Sequence, residues 1–254
     1  MTEAVERREA AAGVAAGAGG IVAAKADVAG TEDWGGRWRF PLQSHPCRAR
    51  RQAATDEDAK RFGCMRLWLK ILAPYVAVVA LWFGGVGAWP TILAYHAQIL
   101  FWILLDRRRL DFRLTRRSLA WALPFALAGP LVFVVLPLSG AGDMGEWLAR
   151  YGLSGGAWVA MVLYFGLAHP ALEQMHWAPL RRQTRWAHSA FAGYHALVLW
   201  TLLPAPWLAA VVAALTLASL AWKRMTTTTG LAGTVLAHTL ADSGIAAAAW
   251  LLAR

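Results

Sequence analysis

Residues 169–182 read HPALEQMHWAPLRR. This stretch closes a long apolar run that begins near residue 153, and two arginines end it. A carboxylate at the centre of a bilayer costs at least about 2.5 kcal/mol, so acids are rare in membrane-spanning sequence. Glu173 therefore marks a position at which an apolar segment carries an acid despite that cost.

The composition indicates an integral membrane protein. The chain has 254 residues, of which 58% are hydrophobic, and 15 of them are Trp. Its formal net charge of +10 would also suit a nucleic-acid-binding protein, but the arginines cluster at the ends of apolar runs. That placement is typical of membrane proteins, whose cytoplasmic connections are rich in Lys and Arg. We therefore expect a lipid bilayer as partner, and no nucleic acid.

Apolar runs long enough to cross a bilayer, about 20 residues each, follow one another from residue 66 onward. They predict an all-α fold, a polytopic transmembrane helix bundle of about seven helices. The expected segments are residues 67–87, 89–105, 118–138, 153–176, 187–203, 205–222 and 230–252. The segment 140–151 is too polar to cross and is expected to lie as a short helix at the membrane surface.

The basic residues predict the orientation of this bundle. They lie between segments two and three (Arg107, Arg108, Arg109, Arg113, Arg116, Arg117), four and five (Arg181, Arg182, Arg185), and six and seven (Lys223, Arg224). With seven crossings, these connections share one side with the N-terminus, and the opposite connections carry few charges. The positive-inside rule then places the N-terminus in the cytoplasm. We expect an integral protein of a bacterial inner membrane.

Residues 1–64 lack a sustained hydrophobic period and are interpreted as a disordered tail in front of a transmembrane domain, residues 65–254. An alternative is that translation starts at Met65, where a membrane helix could begin. Both cysteines, Cys47 and Cys64, lie in this region. Their number and spacing support neither a disulfide framework nor a zinc site.

Four ionisable residues stand out inside the apolar segments and form the candidate site: Glu173, His195, His238 and Asp242. At about 1.5 Å per residue, the first three are expected about 12–15 Å inside the cytoplasmic face. Asp242 lies one turn beyond His238 on the same helix face. Four other histidines are expected to serve helix packing or to lie at the interface: His96, His169, His176 and His188.

These residue types suit the hydrolysis of a polar bond by water. Glu173 can act as a general base toward water, and His195 can share the proton. His238 and Asp242 can donate hydrogen bonds to a developing oxyanion if the aspartate is neutral. The same four side chains could instead bind a divalent metal ion. No His-Glu-x-x-His pair supports that alternative, so no cofactor is expected.

Three motifs in residues 153–252 resemble the CPBP family of intramembrane proteases (CAAX protease and bacteriocin-processing, or Abi). The family pattern is Glu-Glu-x-x-x-Arg, then Phe-x-x-x-His, then His-x-x-x-Asn/Asp. Phe191 to His195 and His238 to Asp242 match the second and third motifs. The first motif aligns at Glu173, but Gln174 and Ala178 replace its second Glu and its Arg.

The resemblance implies an intramembrane endopeptidase with a glutamic-type mechanism and a protease-like core at residues 153–252. Its substrate would be a peptide or a membrane-anchored protein. Losing both members of a supporting ion pair avoids the penalty of an uncompensated buried charge, so the enzyme could remain active. The same loss could equally mark a lapsed enzyme that serves as a membrane binding, scaffold or immunity protein. A metal-dependent membrane enzyme is the third hypothesis.

Overall fold

A computed structural model describes residues 46–107 and 112–254, with side chains from residue 61 onward. Every regular element in these ranges is helical, which confirms the predicted all-α fold class. The α-helices are α1 (Pro46–Trp82), α2 (Ala88–Asp106), α3 (Arg116–Ala122), α4 (Ala128–Val135), α5 (Met144–Arg150), α6 (Gly155–Gln183), α7 (Trp186–Leu199), α8 (Ala205–Thr229) and α9 (Leu231–Leu252). Two 3₁₀ turns, Leu123–Leu127 and Leu136–Ser139, follow α3 and α4.

Most of the predicted tail, residues 1–45, lies outside the described residues. Helix α1 begins at Pro46, so the charged run at residues 48–61 is helical. A translation start at Met65 stays a prediction, because the bounds of a helix do not report where synthesis begins.

In the described ranges, six helical segments are long and apolar enough to cross a membrane. They are Arg61–Trp82, Ala88–Asp106, Arg116–Ser139, Gly155–Gln183, Ala205–Thr229 and Leu231–Leu252. The third combines α3, α4 and the two 3₁₀ turns. Two of its three prolines, Pro124 and Pro137, lie at the start of those turns, because proline cannot donate the hydrogen bond that a regular helix would need there.

The expected fifth segment, residues 187–203, differs from the sequence prediction. It forms α7, a helix of 14 residues, which is about 21 Å long and shorter than the hydrocarbon core of about 30 Å. The remaining residues turn before Pro204, and Leu202 and Leu203 bond back to the carbonyl of Leu199. In the residues that the structure describes, the bundle therefore has six long spans, and the shorter helix α7 stands where a seventh full span was predicted.

The helix connections gather at two ends of the bundle. At one end, the amide of Ala88 at the start of α2 donates to the carbonyl of Tyr151 after α5 (2.9 Å). The indole of Trp147 in α5 donates to the hydroxyl of Thr201 after α7 (3.1 Å). As predicted, the polar segment in this region forms a short helix, α5, whose first turn is capped by the side chain of Asp143.

The opposite end holds most of the basic residues. Here Lys70 of α1 pairs with Asp106 at the end of α2 (2.6 Å), and Arg66 pairs with the same carboxylate (2.8 Å). Helix α6 reaches this end as well, since a ring nitrogen of His176 lies 3.1 Å from the carbonyl of Lys70. We call it the basic end.

Helix α9 lies among α3, α4, α6 and α8. Small residues let it approach α4 closely: a methyl group added to Gly129 of α4 would lie 2.5 Å from the carbonyl oxygen of Gly244 in α9. Such close backbone approach through glycine is a common way for helices to pack inside a membrane. This packing positions His238 and Asp242 of α9 against α6.

Candidate functional site

Glu173 lies on α6 with its carboxylate fully buried, at 0% exposure. One oxygen, Oε1, accepts hydrogen bonds from the hydroxyls of Tyr95 in α2 and Tyr194 in α7. The hydroxyl of Tyr95 in turn accepts a hydrogen bond from the indole of Trp177 (3.3 Å). Three helices therefore hold this carboxylate in one orientation.

The other oxygen of Glu173, Oε2, has no hydrogen-bond partner within the described part of the chain. It faces the Nε2 atoms of two imidazoles, that of His169 at 3.5 Å and that of His238 at 3.6 Å. Asp242 Oδ2 faces the same two nitrogens, at 3.7 Å from His169 and 3.3 Å from His238. We call His169, Glu173, His238 and Asp242 the carboxylate–imidazole cluster.

Three of the four predicted site residues belong to the carboxylate–imidazole cluster. Glu173, His238 and Asp242 lie side by side, as expected from their common depth and from the i, i+4 spacing on α9. The imidazole nitrogens within 4 Å of the Glu173 carboxylate in the described residues belong to His169 and His238 rather than to His195. The acid in α6 and the motif on α9 thus form one site.

His195 lies at the edge of this site. Its Nδ1 lies 2.9 Å from the carbonyl oxygen of Phe191, one turn earlier in α7. A carbonyl only accepts, so Nδ1 carries the proton and Nε2 is an acceptor in the neutral ring. The ring stacks on that of Tyr194, with centroids 4.1 Å apart, and so contacts a tyrosine that holds Glu173. A role for His195 in moving a proton stays a prediction.

His169 is a member of the cluster that the sequence interpretation had assigned to helix packing. Its Nδ1 lies 3.0 Å from Nε2 of His96, and Nδ1 of His96 lies 2.7 Å from the hydroxyl of Tyr164. The signal was present in the sequence, because His169 precedes Glu173 by four residues and shares its helix face. His176 and His188 do serve packing: they bond to the carbonyl of Lys70 and the hydroxyl of Ser219.

Arg181 differs most from its sequence interpretation. It was expected in the basic stop between two membrane segments, yet it is fully buried, at 0% exposure. Its guanidinium lies over the rings of Phe191 (5.1 Å) and Trp222 (5.5 Å). Its Nη1 donates to Oε1 of Gln174 (2.7 Å). Arg181 therefore places a cation beside the cluster in the absence of an arginine at position 178.

Gln174 in turn determines which ring nitrogen of His238 carries the proton. Because the amide oxygen of Gln174 accepts from Arg181, its NH₂ group faces Nδ1 of His238, 2.9 Å away. Nδ1 then accepts a hydrogen bond, so the ring proton of neutral His238 lies on Nε2. His238 therefore presents an N–H group to Glu173 and Asp242.

A divalent metal is the third chemistry that the sequence left open. His169, His238 and Asp242 each offer one ligand atom, and these atoms lie within 4.8 Å of one another. His169 takes the place that the sequence hypothesis gave to His195. The proton on Nε2 of His238 opposes metal binding, because a metal needs the lone pair of that nitrogen.

No family model, curated protein or solved structure matches this chain.

The two tyrosine hydroxyls on Glu173 are expected to stabilise the fold. Replacing Tyr95 by Phe removes one hydrogen bond to a buried carboxylate and leaves the indole of Trp177 without its acceptor. A hydrogen bond to a charged group contributes about 1.5–3 kcal/mol, so Tyr95→Phe should lower the melting temperature in detergent clearly. Tyr151→Phe is the matched control, since its hydroxyl bonds to Thr201 at the end opposite the basic end, away from Glu173. Equal melting temperatures for the two variants would contradict this account.

Proposed function

We propose that this chain is an intramembrane endopeptidase, which hydrolyses a peptide bond of a membrane-associated protein or peptide with water activated by Glu173. One observation carries the proposal. A buried carboxylate is held through one oxygen by two tyrosines, while its other oxygen, which has no hydrogen-bond partner in the described residues, faces two imidazoles. The resemblance of the three motifs to CPBP proteases supports the same reaction.

In the proposed mechanism, Oε2 of Glu173 takes a proton from water as the water oxygen bonds to the peptide carbonyl carbon. The carbonyl oxygen becomes an oxyanion, and the Nε2–H group of His238 donates a hydrogen bond to it. Asp242, 3.3 Å from that nitrogen, holds the oxyanion with His238 when it is protonated. Glu173 then returns the proton to the leaving amine as the carbon–nitrogen bond breaks and the carbonyl re-forms. Nε2 of His195 assists by accepting a hydrogen bond from the attacking water, whose second proton stays on its oxygen in the carboxyl product.

The charge distribution supports a location in a bacterial inner membrane with the basic end in the cytoplasm. Glu173 lies ten residues before the end of α6, and His238 lies seven residues after the start of α9. The cluster is therefore about 10–15 Å from the basic end. A substrate segment would reach it from the bilayer or from the cytoplasmic face.

A second candidate function is a membrane binding, scaffold or immunity protein that has lost catalysis. The enclosure of the cluster favours it: Glu173, His238 and His169 are 0%, 2% and 3% exposed. Only Asp242 keeps appreciable exposure, with 14% of its side-chain surface accessible. Under this hypothesis, Glu173→Gln leaves the cellular function of the protein unchanged.

The two functions can be distinguished by identifying the N-termini of peptides in cell membranes. The cells express the wild type, Glu173→Gln or Glu146→Gln. Glu146 is exposed in α5, at the end opposite the basic end, so its variant is a matched control. Under the proposed function, new N-termini appear with the wild type and with Glu146→Gln and are absent with Glu173→Gln. The same set of N-termini in all three samples would contradict the proposed peptidase.

A further inference from the structure

The guanidinium of Arg181 has one edge without a hydrogen-bond partner. The group lies over the rings of Phe191 and Trp222, and its Nη1 donates to Gln174. Nε and Nη2 are buried and have no hydrogen-bond partner in the described residues. These two nitrogens share one edge of the planar group, where their N–H bonds form a rigid fork. Arg181 therefore presents two parallel donors to which no acceptor in the described residues bonds.

The positive charge of Arg181 also lacks a neighbouring carboxylate. A buried charge is costly unless an opposite charge pairs with it. The oxygen Oε1 of Glu173 bonds to two tyrosines, and Oε2 has no hydrogen-bond partner in the described residues. Residues 174–241 contain no Asp or Glu, although they carry five Lys or Arg residues. Helices α7 and α8, which cover the guanidinium, therefore supply no acid, and a bound anion would compensate the charge.

The donors around Arg181 favour an oxyanion over water or chloride. The indole Nε1 of Trp222 is a third buried N–H group without a partner in the described residues. Water could accept hydrogen bonds from these donors, but a neutral molecule leaves the buried charge uncompensated. Chloride carries the charge but is a single acceptor. The fork of an arginine instead matches two oxygens of one phosphate or carboxylate group.

The position of Arg181 along α6 favours a phosphate. Helix α6 has 29 residues, which corresponds to about 43 Å, close to the thickness of a bilayer with its headgroups, about 40–45 Å. Arg181 lies two residues before the helix ends at Gln183, and therefore near the level of the headgroup phosphates. Clustered cations attract anions, and the same end carries four more: Arg182, Arg185, Lys223 and Arg224.

We propose that Arg181 binds a phosphate group through Nε and Nη2, at a site separate from the carboxylate–imidazole cluster. Nη1 keeps its hydrogen bond to Gln174, so the anion does not compete with the amide. The phosphate belongs either to the headgroup of an anionic lipid or to inorganic phosphate from solution, since both present the same oxygens. This site follows from the contacts of Arg181 and does not depend on peptide cleavage.

Thermal unfolding of the purified protein in a neutral detergent measures binding, with inorganic phosphate replacing chloride at constant ionic strength. We expect phosphate to raise the melting temperature of the wild type, by about 3–5 °C for each tenfold excess over its Kd. Arg181→Lys keeps the charge but has no fork. It should weaken phosphate binding about 10- to 100-fold, the contribution of one hydrogen bond to a charged group. Arg182→Lys makes the same change on the exposed neighbour and should bind as the wild type does.

A second titration uses short-chain phosphatidylglycerol, with phosphatidylcholine of the same chain length as the control. Tighter binding of phosphatidylglycerol than of inorganic phosphate identifies a lipid headgroup as the ligand, and the reverse order identifies phosphate from solution. The proposal is overturned if neither ligand raises the melting temperature of the wild type above its chloride or phosphatidylcholine control. Equal affinities of Arg181→Lys and Arg182→Lys would also overturn it.

If Arg181→Lys does not fold, NMR of the ¹⁵N-arginine-labelled wild type gives the answer. The buried Nε–H group of Arg181 should give a signal that is protected from exchange with solvent. We expect the titrated phosphate or phosphatidylglycerol to shift this signal until the site is saturated. A protected Nε–H signal that neither ligand shifts would contradict the proposal.

Discussion

Glu173→Gln is expected to lower the rate of peptide cleavage by about 10²- to 10⁴-fold, the usual contribution of a general base, while the protein stays folded. Glutamine has nearly the same shape as glutamate, and its amide oxygen can still accept the hydrogen bonds of Tyr95 and Tyr194. An amide cannot take a proton from water near neutral pH, so activation of water is lost.

The measurement uses purified protein in lipid nanodiscs and a peptide substrate identified from the N-termini of expressing membranes. Glu146→Gln makes the same chemical change on an exposed residue of α5 and should keep the wild-type rate. Melting temperatures of the three proteins show whether the fold is retained. Wild-type-like cleavage by a folded Glu173→Gln protein would rule out the proposed role of Glu173.

Of the substitutions proposed, Gly129→Ala is expected to cause the largest decrease in the free energy of unfolding. The new methyl group would lie 2.5 Å from the carbonyl oxygen, 2.6 Å from the carbonyl carbon and 2.7 Å from the α-carbon of Gly244. All three are backbone atoms, which cannot rotate away as a flexible side chain can, so α4 and α9 must separate. Overpacking in a tight core costs about 1–3 kcal/mol and occasionally more, and we expect this variant at or above the upper end.

Thermal unfolding in detergent measures this effect, with Gly156→Ala as the matched control. Gly156 lies in the first turn of α6, and a methyl group there meets nothing within 4 Å. Because α9 carries His238 and Asp242, Gly129→Ala should also lower cleavage under the proposed function. A melting temperature for Gly129→Ala equal to that of Gly156→Ala would contradict the close packing of α4 on α9.

The class of the protein and most of its helices follow from composition and from the lengths of the apolar runs. The i, i+4 relation of His238 and Asp242 also follows from sequence, because spacing along one helix determines which side chains share a face. Residues 187–203 show the limit of this reasoning. Hydrophobicity alone does not distinguish a full span from a helix of 14 residues followed by a turn in which Leu202 and Leu203 are buried.

The partners of Glu173 could be predicted only in part. His169 lies one helical turn away on the same helix, so its place in the cluster was available from spacing. Tyr95 and Tyr194 come from other helices, and no sequence pattern indicates which faces of two helices meet. Those hydrogen bonds depend on how α2, α6 and α7 pack together.

Arg181 and Arg182 show most clearly what the sequence determines and what only the packing of the helices decides. The sequence by itself determined that a basic pair ends a membrane segment and that an acid lies eight residues earlier. Successive residues of a helix point about 100° apart, and the packing of α6 against its neighbours decides which arginine turns inward. The structure buries Arg181 and exposes Arg182. The buried guanidinium orients Gln174, and Gln174 orients His238, so the chemistry of the cluster was decided by tertiary packing.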